Sequence, residues 1–253
     1  MRFVAVVESD IGIVKNTNQD SVLLKHASTA LGEVLMAIIC DGMGGLSKGE
    51  LASKTVAMEF AKWFDEDIPF ELEAFNADVV AGKWSLMLKD LNQKIGSFGT
   101  NHSVELGTTF TGVLFVGNEY VCVHVGDTRL YHIGDTISQL TEDQTFVARE
   151  IKCGRMTPEE AKVDKRRNVL LQCIGASHSI EPQVILGKTE RGIYLLCSDG
   201  FRHELTSNEM LETLAPINLI NKKAMHANAE YLIERVKSRR EKDNISVVLI
   251  KAD

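Results

Sequence analysis

Five aspartates stand where apolar runs stop or start. Asp41 closes Leu35-Met36-Ala37-Ile38-Ile39-Cys40, Asp127 closes Val121-Cys122-Val123-His124-Val125-Gly126, and Asp199 closes Tyr194-Leu195-Leu196-Cys197-Ser198. Asp20 and Asp243 stand just ahead of strand-like runs, and glycine adjoins three of the five, in Asp41-Gly42, Gly126-Asp127 and Asp199-Gly200. Buried strands reaching one sheet edge would gather these carboxylates, which would then repel one another and resist desolvation. A hard divalent cation with oxygen ligands resolves that conflict; Mg²⁺ or Mn²⁺ takes a few carboxylates and keeps several waters. Two such ions roughly 3.5–4 Å apart can share a hydroxide and aim it at phosphorus. The chemistry this pattern offers is metal-assisted hydrolysis of a phosphate monoester.

A single Asp at a strand end is more often a turn former than a ligand. The run Asp41-Gly42-Met43-Gly44-Gly45, followed by Gly49-Glu50, asks for more than a turn, because such glycine density between a strand and a helix lets backbone carbonyls approach a ligand. A P-loop fails, since Glu50 stands where Lys is needed, and G-x-G-x-x-G fails at Ser47. No G-x-S-x-G occurs, which removes a serine-hydrolase elbow. His124 and His132 alternate with apolar residues and read as satisfied strand histidines, and the Phe60/Trp63/Phe64 aromatics read as helix packing.

The elements that must position these groups are legible. Strand-like runs cover Phe3–Val7, Ser21–Leu24, Val34–Cys40, Thr108–Val116, Tyr120–Val125, Leu130–Ile133, Ile193–Cys197 and Ile245–Ile250. Short links between 107–117, 119–126 and 129–133 predict an antiparallel meander. Helical periodicity marks Glu50–Phe64, Val79–Phe98 and Asn218–Lys237. The polar stretch Glu150–Asn168 interrupts the strand blocks, with Thr157 as an N-cap and Pro158 at the first helical position. Strand blocks separated by helices predict an α+β sandwich, sheets inside and helices outside. With 253 residues, four prolines and no repeat, one domain is expected.

The net charge of −7 excludes an electrostatic case for nucleic-acid binding. Five cysteines without a C-x-x-C pair suggest neither a disulfide framework nor a zinc site. Met1–Glu8 is too short for a signal peptide, and no apolar run approaches the roughly 20 residues that span a bilayer. A cytoplasmic protein without membrane partners is the expectation.

The ordered blocks resemble those of the metal-dependent protein phosphatases, type 2C, in their compact bacterial form. They run Asp10-x-Gly12-x-x-Lys15-x-x-Asn18-Gln19-Asp20-Ser21, Cys40-Asp41-Gly42-Met43-Gly44-Gly45, Gly49-Glu50-x-Ala52-Ser53, Gly107-Thr108-Thr109, Val125-Gly126-Asp127-Thr128-Arg129-x-Tyr131, Leu140-Thr141-x-Asp143, Leu196-Cys197-Ser198-Asp199-Gly200 and Lys242-Asp243-Asn244-Ile245-Ser246. The resemblance implies a four-layer α-β-β-α sandwich, two mostly antiparallel sheets flanked by helix pairs, with a flap near 148–175 inside a single domain 1–253. It implies a Ser/Thr phosphoprotein phosphatase in which a water or hydroxide bridging two Mg²⁺ or Mn²⁺ ions attacks phosphorus directly. By the same resemblance Asp41 bridges the metals with the Gly42 carbonyl on the first, Asp199 and Asp243 complete the second, and Asp127 with Asp199 holds a third. Asp20, Gln19 and Asn244 stand behind them, Asp20 orienting water, and Lys15 grips the substrate phosphate. Lys15 replaces the family's usual Arg, Gln144 its usual His, and Met43 the His of eukaryotic members. The implied partners are phosphorylated Ser/Thr proteins, opposite a Ser/Thr kinase, for a monomeric signalling enzyme. A second reading, motivated by Lys15 and Gln144, is a metal-binding regulatory or sensor module of the same fold with little turnover.

Overall fold

The computed structural model describes residues 1–29, 32–43 and 48–253. Its strands are β1 (Phe3–Asp10), β2 (Ser21–Thr29), β3 (Gly32–Cys40), β4 (Phe110–Val116), β5 (Glu119–Val125), β6 (Arg129–Ile133), β7 (Ile137–Gln139), β8 (Gln183–Lys188), β9 (Gly192–Cys197) and β10 (Ile245–Ala252). The helices are α1 (Gly49–Glu66), α2 (Ile68–Glu71), α3 (Ala77–His102), α4 (Phe146–Lys152), α5 (Pro158–Val163), α6 (Asp199–Arg202), α7 (Ser207–Leu214) and α8 (Lys222–Ser238). A 3₁₀ turn at Leu72–Ala74 follows α2.

β3 shows how the layers arise. Side chains alternate across a strand, and here both faces are apolar. Val34, Met36, Ile38 and Cys40 pack under α1 and α3, while Leu35, Ala37 and Ile39 enter the layer between the sheets. β10 does the same in the second sheet, with Ile245, Val247 and Leu249 under α7 and α8 and Val248, Ile250 and Ala252 inside. Three apolar layers therefore separate four layers of structure. Each fully buried Leu, Ile or Phe stabilises by about 1.5–3 kcal/mol on burial, and truncating Ile38 or Ile39 to Ala is expected to cost about 2–5 kcal/mol.

The sheet orders are β1-β10-β9-β6-β7 and β2-β3-β4-β5-β8. Every pairing is antiparallel. This is the expected sandwich, with one correction. β4 and β5 form a hairpin, but β6 leaves it and pairs with β9 and β7 in the other sheet. Gly126 takes φ 109° there, a conformation L side chains rarely adopt, and the chain crosses from sheet to sheet at Gly126-Asp127-Thr128. The supposed meander is a sheet-to-sheet step, and Asp127 sits on it.

Helix ends follow local chemistry. Asn76, Thr145, Thr157, Thr206 and Asn221 each accept a backbone N–H from the first turn that follows. Thr157 caps α5 with Pro158 in the first turn, as the sequence implied, and Glu160 completes a reciprocal capping box. β7 and β8 were not anticipated. β7 has three residues, too few for alternation, and β8 is an edge strand with Val184 and Leu186 exposed. Among the described residues no helix is long and apolar enough to cross a membrane.

Candidate active site

Parity along β3 carries the apolar inter-sheet positions 35, 37 and 39 on to Asp41. At that end the layer between the sheets turns polar, with Thr111, His124, Thr128, Ser198 and Ser246 all buried. The Thr111 hydroxyl meets His124 Nδ1 at 2.8 Å and the Thr128 hydroxyl at 2.7 Å, and His124 Nε2 donates to the Glu142 carbonyl at 3.1 Å. Burial lowers the His124 pKa to about 4, so this histidine is neutral and fully occupied. It supports the site from below.

Backbone bonds fix the loops above it. The Asp41 N–H donates to Thr109 Oγ1 at 2.9 Å, and the Asp41 carbonyl accepts from the Thr109 N–H at 2.9 Å and the Thr108 hydroxyl at 3.0 Å. The Gly42 N–H reaches the Gln19 carbonyl at 3.1 Å. A Cβ on Gly42 would lie 2.5 Å from that oxygen and 2.6 Å from the Gly49 carbonyl oxygen, so only glycine allows these segments to meet. Asn244 fastens the other side. Its Oδ1 accepts from the Gln19 N–H at 2.9 Å, and its Nδ2 donates to the Ile11 and Thr17 carbonyls at 2.9 and 3.2 Å. Gln144 accepts from the Gly126 N–H at 2.7 Å and so holds the crossing that carries Asp127. Gly44 and Gly45 of the glycine-rich run lie outside the described residues.

Asp41 feels the charges of the other four aspartates. The Asp41 pKa is pushed well above the usual carboxylate range by burial first, then by the charges of Asp20, Asp199, Asp127 and Asp243. Burial lifts Asp20 to about 7, with Asp199 and Asp243 adding to it. Burial lifts Asp127 to about 6, with a further push from Asp199, and raises Asp199 as well. Both carboxylate oxygens of Asp20 and Oδ1 of Asp199 are buried with no hydrogen-bond partner. Orphaned buried carboxylate oxygens cost free energy, and they are the donors a hard cation takes. The residues fit such ions. Among the described residues no three His, Cys, Asp or Glu side chains stand together as a ready metal-holding group.

Asp127, Asp199, Asp243 and Lys15 open onto a cleft of about 1560 Å³ whose far wall includes Ala161 and Arg167, in and beside α5. Lys15 Nζ lies 2.9 Å from Asp243 Oδ1. Glu50 sits 3.5 Å from Gln19 Nε2.

Sequence reasoning missed a cationic cluster on the same rim. Arg129 grips Asp143 with Nε to Oδ1 at 2.7 Å and Nη2 to Oδ2 at 2.6 Å. Arg202 Nη2 donates to the Asp127 carbonyl at 3.1 Å and to its Oδ2 at 3.2 Å. His203 Nε2 lies 3.7 Å from Asp199 Oδ2, and burial and the Arg202 charge lower its pKa to about 4. The available signal was spacing. Arg202 and His203 follow Asp199 by three and four residues, one helical turn, but nothing in the sequence says that a helix starts at Asp199.

The comparisons agree with this geometry. A family model described as protein phosphatase 2C matches residues 13–232. The serine/threonine protein phosphatase PstP of Mycobacterium tuberculosis is 34% identical over 244 residues, 95% of this chain and 43% of that protein, so the chain spans under half of that relative. The protein phosphatase PhpP of Streptococcus pneumoniae is 30% identical over 247 residues, covering 96% of this chain and 94% of the relative. In fold the chain is similar to the serine/threonine phosphatase Stp1 of Staphylococcus aureus, at TM-score 0.88 and 24% identity over 100% of this chain and 96% of that one. The crystal structure of the PstP catalytic domain in complex with two manganese ions superposes at TM-score 0.77 with 28% identity, covering 98% and 97% of the two chains. With five aspartates converging at one end of a two-sheet sandwich, and a family model matched over most of its length, the chain belongs to the protein phosphatase 2C family.

Proposed function

We propose that this chain hydrolyses phosphoserine and phosphothreonine monoesters in proteins, using Mg²⁺ or Mn²⁺ held by Asp41, the Gly42 carbonyl, Asp199 and Asp243. The observation that carries it is the set of buried, unpartnered oxygens of Asp20 and Asp199 inside a five-carboxylate cluster. Bound divalent ions would supply Lewis-acid charge at the phosphoryl oxygens and make water nucleophilic near neutral pH.

The chain's own residues do the rest. Asp41 and Asp199 fix the position of the centre through strands β3 and β9, whose pairing leaves little freedom at their ends. Asp20, with both carboxylate oxygens buried and unpartnered behind the other acids, is suited to orient a water on its line of attack. Lys15 stands at the cleft mouth beside Asp243 and offers three N–H donors to phosphate oxygens, as a point charge rather than a fork. The phosphorus–oxygen bond to the serine or threonine breaks as the new one to water forms, the departing oxygen takes up a proton from water in the open cleft to become the free hydroxyl, and no residue of the chain carries the phosphoryl group. The substrates are phosphorylated proteins opposite a Ser/Thr kinase, handled by one cytoplasmic domain whose flap, near 148–175, walls the cleft.

The test is phosphate release from a phosphothreonine peptide with Mn²⁺. Turnover that disappears with chelator and with Asp41→Ala is the expected result. Activity surviving either treatment would overturn the assignment.

A further inference from the structure

We propose that Arg202 is a built-in counter-cation for Asp127, so that the centre takes two divalent ions where the family resemblance implies three. This rests on the metal-dependent reading above. The third ion would need Asp127 and Asp199. In this chain Arg202 lies on α6 three residues after Asp199, and its Nη2 is already bonded to Asp127 through both the side-chain Oδ2 and the backbone carbonyl. Asp127 and Arg202 side chains are each only 10% exposed.

The guanidinium cannot easily step aside. Its Nη2 is also 3.7 Å from Asp143 Oδ2, and that carboxylate is pinned by the two-point grip of Arg129. Arg202 Nε is buried with no partner of its own, so the side chain is held by Asp127 and Asp143 rather than by solvent. An arginine cannot shed its charge. A divalent ion arriving at Asp127 would have to share the carboxylate with a fixed positive charge or push that buried charge off its hydrogen-bonded partner, leaving it only Asp143 at 3.7 Å, which is unfavourable.

Lys15 on Asp243 provides the internal contrast. That contact is made by a flexible amine, with side chains 25% and 37% exposed, and solvent can take over the ammonium when an ion binds. One cation is a placeholder and the other a fixture. The carboxylates at Asp41, Asp199 and Asp243 therefore remain open to metal, while Asp127 does not.

Counting ions decides this without reference to turnover. The full chain is dialysed to equilibrium against Mn²⁺ at saturating concentration and bound metal is measured per chain. Two ions are expected for the wild-type protein, two for Asp127→Asn, and three for Arg202→Met. Three ions in the wild-type protein, or one fewer in Asp127→Asn, would overturn the proposal while leaving the metal-dependent phosphatase reading intact. A count of two in folded Arg202→Met would overturn the role given to Arg202. No bound Mn²⁺ in the wild-type protein would instead sink the reading on which the proposal rests. Should Arg202→Met fail to fold, the wild-type and Asp127→Asn counts still decide.

Discussion

Asp143 and Asp20 are both largely buried near the same cleft, and the fold treats them in opposite ways. Asp143 is met by Arg129 at two points and by Arg202 nearby, and it is held below the usual carboxylate range despite a burial that pushes it up. Asp20 receives no hydrogen bond at either oxygen, and burial lifts it to about 7. The chain can plainly neutralise a buried acid, and it does so a short distance away. Leaving Asp20 and Asp41 without a side-chain cation is therefore an unfavourable resting electrostatic state of the kind that functional sites keep, and it fits the proposed binding of divalent ions.

The comparison breaks most visibly at Asp41. Asp41→Asn is expected to lower the rate of p-nitrophenyl phosphate hydrolysis with Mn²⁺ by roughly 10³-fold. In chelator the same variant should melt no lower than the wild-type protein, because a repelled charge has been removed. A lowered metal-free Tm would mean that Asp41 is structural. Asp143→Ala should do the reverse to stability, costing about 3–5 kcal/mol by taking from part-buried Arg129 its carboxylate partner and leaving Arg202 with Asp127 alone; urea denaturation measures it, and a loss under 1 kcal/mol would erase the distinction.

Metal should restore what the acids lose. At a Mn²⁺ concentration one hundred times Kd the wild-type protein should gain about 2.7 kcal/mol of stability, and Asp199→Asn should gain less. Differential scanning fluorimetry across a Mn²⁺ series reads both.

pH separates the two acids by sign. Folded Asp20 holds its proton up to about pH 7, whereas in the unfolded chain it ionises near 3.8. Between those values the folded state binds more protons, so metal-free stability falls as pH rises through that window. Asp143 acts oppositely, since its lowered pKa adds stability above 3.8 that is lost on acidification. Asp41, Asp127 and Asp199, raised in the same way, add to this descent; Asp20→Asn should make it shallower between about pH 4 and 7, and an unchanged slope would show that Asp20 does not contribute. The smallest effect is expected at Lys15. Lys15→Arg should lower KM for a phosphopeptide with kcat little altered, as restored bidentate binding acts on ground and transition states alike; no change would mean that residue 15 does not reach phosphate.

Much of this was legible along the chain. The near-continuous apolar runs of β3, β9 and β10 mark buried strands, and parity along β3 carries Asp41 into the inter-sheet layer. Gly42 and Gly126 announced close approach and a turn, and Thr157-Pro158 announced α5. Placing Asp127 at the end of a run was correct, but reading the next run as a third strand of the same meander was not, because a short link says nothing about which sheet the following strand will join.

By itself, then, the sequence determined eight of the ten strands, the acids at their ends and the family to which the order of those blocks belongs. Only the tertiary structure decided which acids stay unpaired. That depends on cations from distant segments: Arg129 and Arg202 reaching Asp143 and Asp127, and Lys15 meeting Asp243 across more than two hundred residues. Electrostatic partnership is set by distance and burial in space, and neither quantity is written in local spacing.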